Sequence, residues 1–237
     1  MHREIDGKIK QIVIKKHNSG KWVAHVCLEE GIRKAKRRIE KAIGIDMGIN
    51  HFLSDSGGRQ IENPRFYEKS LKRIRMEQKR LSKKKKDSRN REKRRTKLAR
   101  AYERLTNQRD DFLHKLSRFY ACNYDLAAIE DLNIENMVRN RRLAGKILDA
   151  SWGKFLHLLE FKAARAGTLV VKVNPRGTSR ESRYGGLDRD YNASLNILRK
   201  GLSGMGHPFE PVEMEPLREL IQVPARSIIE AGNPHHL

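Results

Sequence analysis

The chain has 237 residues and carries 51 Lys+Arg against 29 Asp+Glu, a formal net charge of +22 with a pI near 10.3, which calls for an acidic partner, nucleic acid first. That length admits one domain with an appendage, its 38% hydrophobic content supplies one core, and no run approaches the roughly 18 consecutive apolar residues of a membrane span. Met1-His2-Arg3-Glu4-Ile5-Asp6 opens no secretory signal, so a cytoplasmic protein is expected, and Cys27 and Cys122 alone supply neither a disulfide framework nor a cysteine-built zinc site.

In chain order, Ile9 to Ile14, the turn Asn18-Ser19-Gly20 and the alternation of Trp22, Ala24, Val26 and Leu28 predict a β-hairpin. A lone hairpin is marginal in water, so it should dock on something. Gly31 to Lys41 reads as a charged connector. Ala42-Ile43-Gly44-Ile45-Asp46-Met47-Gly48 reads as a buried strand, and His51 to Ser54 and Arg59 to Ile61, split by Ser56-Gly57-Gly58, continue it as a meander.

Two amphipathic helices follow. Phe66/Tyr67, Leu71, Ile74 and Leu81 fall at helical steps, as do Leu98, Ala101/Tyr102, Leu105, Phe112, Leu116 and Phe119, with a basic turn at Lys83-Lys84-Lys85-Lys86 between them. From Arg65 to Arg104 there are 19 Lys+Arg and 5 Asp+Glu. Solvated helices mix their signs, whereas so one-sided a run repels itself unless a polyanion neutralises it. Candidate nucleic-acid contacts here are Lys72, Arg73, Lys79, Arg80, Lys83, Lys84, Lys85, Lys86, Arg89, Arg91, Arg94 and Arg95.

Asp125 to Glu130 predicts another buried strand. Trp152, Phe155, Leu156, Leu159, Ala163 and Ala166 predict a helix stopped by Gly167; Thr168 to Val173 is a further strand, and Asp190 to Lys200 a last helix. From Ser203 onward Pro208, Pro211 and Pro216 alternate with Glu210, Glu213 and Glu215, which reads as an extended tail, with His235-His236 beyond it. The order β-β-β-α-β-α-β-α is that of an α/β, RNase H-like mixed sheet with flanking helices. Expected boundaries are residues 1–30 for the N-terminal hairpin, 41–202 for the mixed-sheet domain with a basic helical hairpin inserted at 64–121, and 203–237 for the tail.

That order brings three acids together: Asp46 in the first strand, Glu130 at the end of the fourth, and Asp188 or Asp190 at the start of the last helix. Carboxylates gathered at close range need cations between them, and hard oxygen donors suit Mg²⁺ or Mn²⁺. Two such ions activate water and stabilise the leaving oxygen of a phosphodiester. Asp131 and Asp188 read as supporting or capping groups.

Four motifs now stand in series: Gly44-Ile45-Asp46-Met47-Gly48-Ile49; Ile129-Glu130-Asp131-Leu132-Asn133-Ile134; Val173-Asn174-Pro175-Arg176-Gly177-Thr178-Ser179; and Leu187-Asp188-Arg189-Asp190-Tyr191-Asn192-Ala193. Together they resemble the RuvC-like nuclease region of the OrfB/TnpB transposon-encoded proteins, relatives of the type V CRISPR effectors. The resemblance implies an RNA-guided, Mg²⁺-dependent DNA endonuclease whose partners are DNA and a transposon-derived guide RNA. It places the catalytic, metal-binding acids at Asp46, Glu130 and Asp190, with Asp46 expected to bridge two ions. Arg176, Ser179 and Arg189 are further candidates for contacting the cut strand, against the alternative of ordinary loop chemistry.

Two departures qualify the expectation. Family members follow Thr-Ser with paired CxxC motifs, whereas Ser182 and Gly185 stand where the first pair would be, so no zinc is expected. The front of the chain also reads as the last hairpin of a longer N-terminal part. The alternative is therefore a catalytically impaired relative that only binds transposon RNA or DNA.

Overall fold

The computed structural model describes residues 7–29, 39–179, 187–205 and 220–230. In chain order its elements are β1 (Lys8–Lys16), β2 (Trp22–Glu29), β3 (Ala42–Met47), β4 (His51–Asp55), β5 (Arg59–Glu62), α1 (Phe66–Ser82), α2 (Arg89–Asn123), β6 (Leu126–Glu130), α3 (Ile134–Val138), α4 (Arg141–Ala150), α5 (Trp152–Ala166), β7 (Leu169–Val173), α6 (Arg189–Ser203), β8 (Ile221–Val223) and α7 (Ala225–Glu230). They fall into two units, Met1–Ile32 with Phe66–Asp110, and Arg33–Arg65 with Asp111–Leu237.

The second unit is built on a six-stranded sheet in the order β7-β6-β3-β4-β5-β8. β3, β4 and β5 form the antiparallel meander, while β6 pairs with β3, β7 with β6 and β8 with β5 in parallel. Parallel central strands are covered on both faces, which is why β3 and β6 read as near-continuous apolar runs. Helix α6 lies tight against one face. A Cβ built on Gly44 would stand 2.1 Å from the Ser194 carbonyl oxygen, and one on Gly201 2.7 Å from the Ala128 Cβ. Alternation along each strand then puts Ala42, Gly44 and Asp46 of β3, and Leu126, Ala128 and Glu130 of β6, on the α6 side. Leu126, Ala128, Val173, Ile197 and Leu198 form the buried cluster there.

The opposite face packs on the C-terminal part of α2 and on α5. Phe52 meets Phe112 and Phe155 edge-to-face at 5.1 and 5.4 Å between ring centroids. At its margin the fully buried Asp55 accepts a hydrogen bond from the Tyr120 hydroxyl (2.8 Å) and pairs with Arg59 (3.2 Å), which also donates to Tyr124 (2.9 Å). Burial, then the neighbouring Asp55 charge, hold the Tyr120 hydroxyl protonated well above the usual phenol range.

The strands of the mixed α/β fold follow the sequence reading, and two parts go beyond it. Between β6 and α5 lie α3 and α4, capped by Asn133 and Asn140 side chains. The segment expected as an extended tail from Ser203 supplies β8 and α7: Ser203 still belongs to α6, β8 extends the sheet edge beside β5, and Ala225 and Ile228 are buried. The Ala225 amide donates to Glu62 (3.0 Å). Prolines and glutamates outweigh a three-residue strand in any window average, so β8 leaves no periodic signal in this segment. Ser182, Gly185, His235, His236, Pro208, Pro211 and Pro216, and most of the Gly31 to Lys41 connector, lie outside the described residues. No helix among the described residues is long and apolar enough to cross a membrane.

In the first unit, β1 and β2 pair antiparallel with Ile9 opposite Leu28, Ile12 opposite Val26 and Ile14 opposite Ala24, and the register shifts between Ile9 and Gln11. Gly20 turns the chain at φ 88°, and the turn carbonyl of Ser19 accepts from Arg100 of α2 at 3.2 Å. Helices α1 and α2 bury Ile74, Ala101 and Leu105 and are tied by Gln78 donating to the Tyr102 hydroxyl at 2.9 Å. The basic turn between them is closed by Arg91, whose guanidinium donates to the carbonyls of Leu81 (3.3 Å) and Lys84 (3.1 Å). Ser88 caps α2 by accepting from the Arg91 amide at 3.2 Å.

Candidate acidic site and basic helical hairpin

The β3–β6 register pairs Ile45 with Ile129, so one step further along Asp46 stands beside Glu130 on the face that α6 covers. Asp190 lies in the first turn of α6, and a Cβ built on Gly48, just past β3, would sit 3.9 Å from its Oδ2. The electrostatics report the convergence. Burial first, then the charges of Glu130 and Asp190, push the Asp46 carboxyl up to about 7, against the pull of Arg189. Carboxylates from three elements thus act on one another at the end of a buried strand.

Asp188 does other work. It is the N-cap of α6, its Oδ1 accepting from the amides of Asp190 and Tyr191, both at 3.0 Å. The same oxygen accepts from Gln60 of β5 at 2.9 Å, and the Gln60 carbonyl oxygen accepts from Gln222 of β8 at 2.5 Å. A polar row therefore crosses the sheet, because Asp46 is opposite Ser54, Ser54 opposite Gln60 and Gln60 opposite Gln222. The Ser54 hydroxyl within that row is buried and makes no hydrogen bond. On the other side, the buried Thr178 hydroxyl lies 2.5 Å from Glu130 Oε1, and its own carbonyl accepts from Asn196 of α6 at 2.9 Å.

Among the described residues, no group of three or more His, Cys, Asp and Glu stands close enough to hold one metal ion in this conformation. In this conformation Glu130 is engaged by Thr178, and Asp190 by the Arg189 guanidinium at 3.0 Å. The donor chemistry, three carboxylates and a hydroxyl without a partner, fits a hard divalent cation. Gln60, Gln222, Ser54 and Thr178 escaped the sequence reading. Thr178 belongs to the third motif but lies in the turn after β7, and neutral polar residues in turns and short strands carry no periodic signal.

The basic candidates separate by environment. Lys72, Arg73, Lys79 and Arg80 lie on α1, Lys83 to Lys86 in the turn, and Arg89, Arg91, Arg94 and Arg95 on α2. Several are engaged within the protein. Arg80 pairs with the buried Glu77 at 2.8 Å, which Arg94 approaches at 3.7 Å; Arg95 pairs with Glu92, and Arg91 closes the turn. Arg176 is exposed in the loop after β7, where its carbonyl accepts from Lys200 at 2.5 Å; Ser179 follows it, and Arg189 is turned onto Asp190.

Against this geometry stand several likenesses to known proteins. The OrfB_IS605 family model, described as a probable transposase, matches residues 25–141, and the Cas12f1-like, TNB domain model matches residues 152–197. A Streptomyces pristinaespiralis protein named "Putative RNA-guided DNA endonuclease" is 33% identical over 213 residues, covering 81% of this chain and 53% of its own length. InsQ of Escherichia coli (strain K12), which bears the same name, is 26% identical over 264 residues, covering 94% and 65% respectively. The chain thus spans about half the length of the first relative and just under two thirds of the second. In fold, it matches a chain of the cryo-EM structure of the Cas12f1–sgRNA–target DNA complex with a TM-score of 0.50 at 20% identity, over 74% of this chain and 42% of that one.

Proposed function

This chain is a relative of the OrfB/TnpB transposon-encoded proteins, and on that footing we propose that it is the core of an RNA-guided DNA endonuclease acting in the cytoplasm. The observation that carries the proposal is the convergence of Asp46, Glu130 and Asp190 from β3, β6 and α6, which together with burial raises the Asp46 carboxyl. Asp46, Glu130 and Asp190 are the residues that would hold Mg²⁺ or Mn²⁺. The bound ions would supply an activated water and charge stabilisation at the scissile phosphate. Everything else is done by the protein. Gly44 lets α6 lie close on β3, Asp188 with Gln60 and Gln222 fixes the first turn of α6, and Thr178 orients Glu130. The basic hairpin of α1 and α2 is the nucleic-acid-binding part, for the guide RNA, the DNA or both.

The test is a cleavage assay on the purified chain with Mg²⁺, RNA copied from its own locus and matching DNA. Cleavage that Asp46→Ala abolishes supports the proposal; uncut single- and double-stranded DNA, with no effect of Asp46→Ala, rejects it. A second reading, a relative that binds nucleic acid without cutting, is favoured by the engagement of Glu130 with Thr178 and of Asp190 with Arg189. It requires steeply salt-dependent binding without any cleavage.

A further inference from the structure

Resting on the nucleic-acid reading of the basic hairpin, the structure carries a more specific site within the first unit. One face of α2 presents Asn90, Lys93, Arg94, Lys97 and Arg100, residues spaced so that they line up along about 15 Å of helix. Lys84, from the turn that Arg91 clamps, joins the same wall, and together with Thr96 they line an open concavity of about 460 Å³. Five cations line it. No acidic or aromatic side chain does so among the described residues, although Arg94 also approaches Glu77 at 3.7 Å.

We infer that this cavity is a phosphate pocket, taking one or two nucleotides of a single strand that turns inward and is gripped by its phosphates, not its bases. A flat basic stripe suffices for the side of a duplex, whereas a concave site of this size is on the scale of a small-molecule pocket. Base recognition is disfavoured by the lining, because sequence-tolerant single-strand sites stack bases on aromatic rings and none is present here. Lys84 is held by the Arg91 clamp and Arg100 by the Ser19 carbonyl, so two of the cations sit on anchored backbone or side chain before any ligand arrives. Pre-ordering of this kind reduces the entropy lost on binding.

The experiment measures binding of a fluorescent oligothymidylate of about five nucleotides to the full chain, a ligand too short to span an extended electrostatic surface. Lys93 and Lys97 are both exposed on a helix, where alanine is a strong helix former, so Lys93→Ala/Lys97→Ala should keep the fold, with circular dichroism as the check. The comparison is Arg142→Ala/Lys146→Ala, which removes the same charge from exposed positions of α4, outside the basic hairpin. The pocket pair should weaken the short strand by about tenfold or more and the α4 pair by less than about twofold. Inorganic tripolyphosphate should compete, and thymidine without phosphate should not. Equal losses in both pairs, or competition by thymidine, would overturn the pocket while leaving the broader nucleic-acid reading standing. Failure of the wild type to bind long single strands as well would instead remove that broader reading.

Discussion

A carboxyl at the end of a buried strand, beside two other carboxylates, resists ionisation, and Asp46 is that residue. Its folded value, about 7, lies above the ordinary 3.8, so between those two the native state holds more protons than the unfolded chain. Stability must therefore fall as pH rises through that window and level off above it. The penalty at pH 8 is of the order of a few kcal/mol at the exchange rate of 1.36 kcal/mol per pKa unit. Asp46→Asn keeps the shape and removes the charge. Without divalent ions it should melt several degrees above the wild type near pH 8, the gap closing towards pH 4. Millimolar Mg²⁺ should raise the wild-type melting temperature at pH 8 and leave Asp46→Asn unmoved, because an ion that relieves the repulsion binds only where the charge exists. Identical melting of the two proteins across the whole pH range would mean that Asp46 is not under this electrostatic load.

At the scale of elements, everything depends on how closely α6 approaches the sheet. Gly44 has no side chain to hold that helix off, and an added methyl would meet the Ser194 carbonyl at 2.1 Å and the Leu198 amide nitrogen at 2.7 Å, both backbone atoms that cannot rotate away. Gly44→Ala should therefore destabilise by about 2–3 kcal/mol, in the upper range for overpacked cores, seen as a lower urea midpoint with unchanged slope. A smaller loss than for an exposed Gly→Ala change would contradict the close approach. The start of α6 separates two roles that the sequence left side by side. Asp188 is a cap, so Asp188→Asn should be nearly neutral while Asp188→Ala costs about 1 kcal/mol, and neither should abolish Mn²⁺ binding. Asp190→Ala should abolish that binding and cost little stability; the reverse pattern would exchange the roles. The element order was legible in the sequence, because the three strands, the two basic helices and the Trp152 helix each carry a clear period. The support of α6 was not. Gln60 and Gln222 are 162 positions apart and meet only because β8 joins the edge of the sheet, a pairing that three residues among prolines do not announce.

For the whole molecule, charge is the property that composition makes visible first and that the sequence itself localises. The chain carries +22 overall, and +14 of that excess, 19 Lys+Arg against 5 Asp+Glu, lies between Arg65 and Arg104 in α1, the basic turn and the first part of α2. Only some are neutralised from within: Glu77 serves Arg80 and Arg94, and Glu92 serves Arg95. Like charges at this density oppose the compact state, and salt screens them with a Debye length of about 10 Å at 0.1 M. The melting temperature should therefore rise with NaCl between low and moderate concentration. A gain of about 1 kcal/mol corresponds to roughly 2–4 °C in a chain of this size. A single-stranded polyanion added at low salt should produce the same rise at far lower concentration, since its phosphates are already arrayed and its own counterions are released on binding. Replacing Lys83, Lys84, Lys85 and Lys86 by Gln should flatten both responses, because these four stand consecutively in the turn where repulsion is densest. A melting temperature that falls with salt would show that attractive ion pairs outweigh the excess charge, and the basic hairpin would then be a self-neutralised structural element instead of a surface waiting for phosphate.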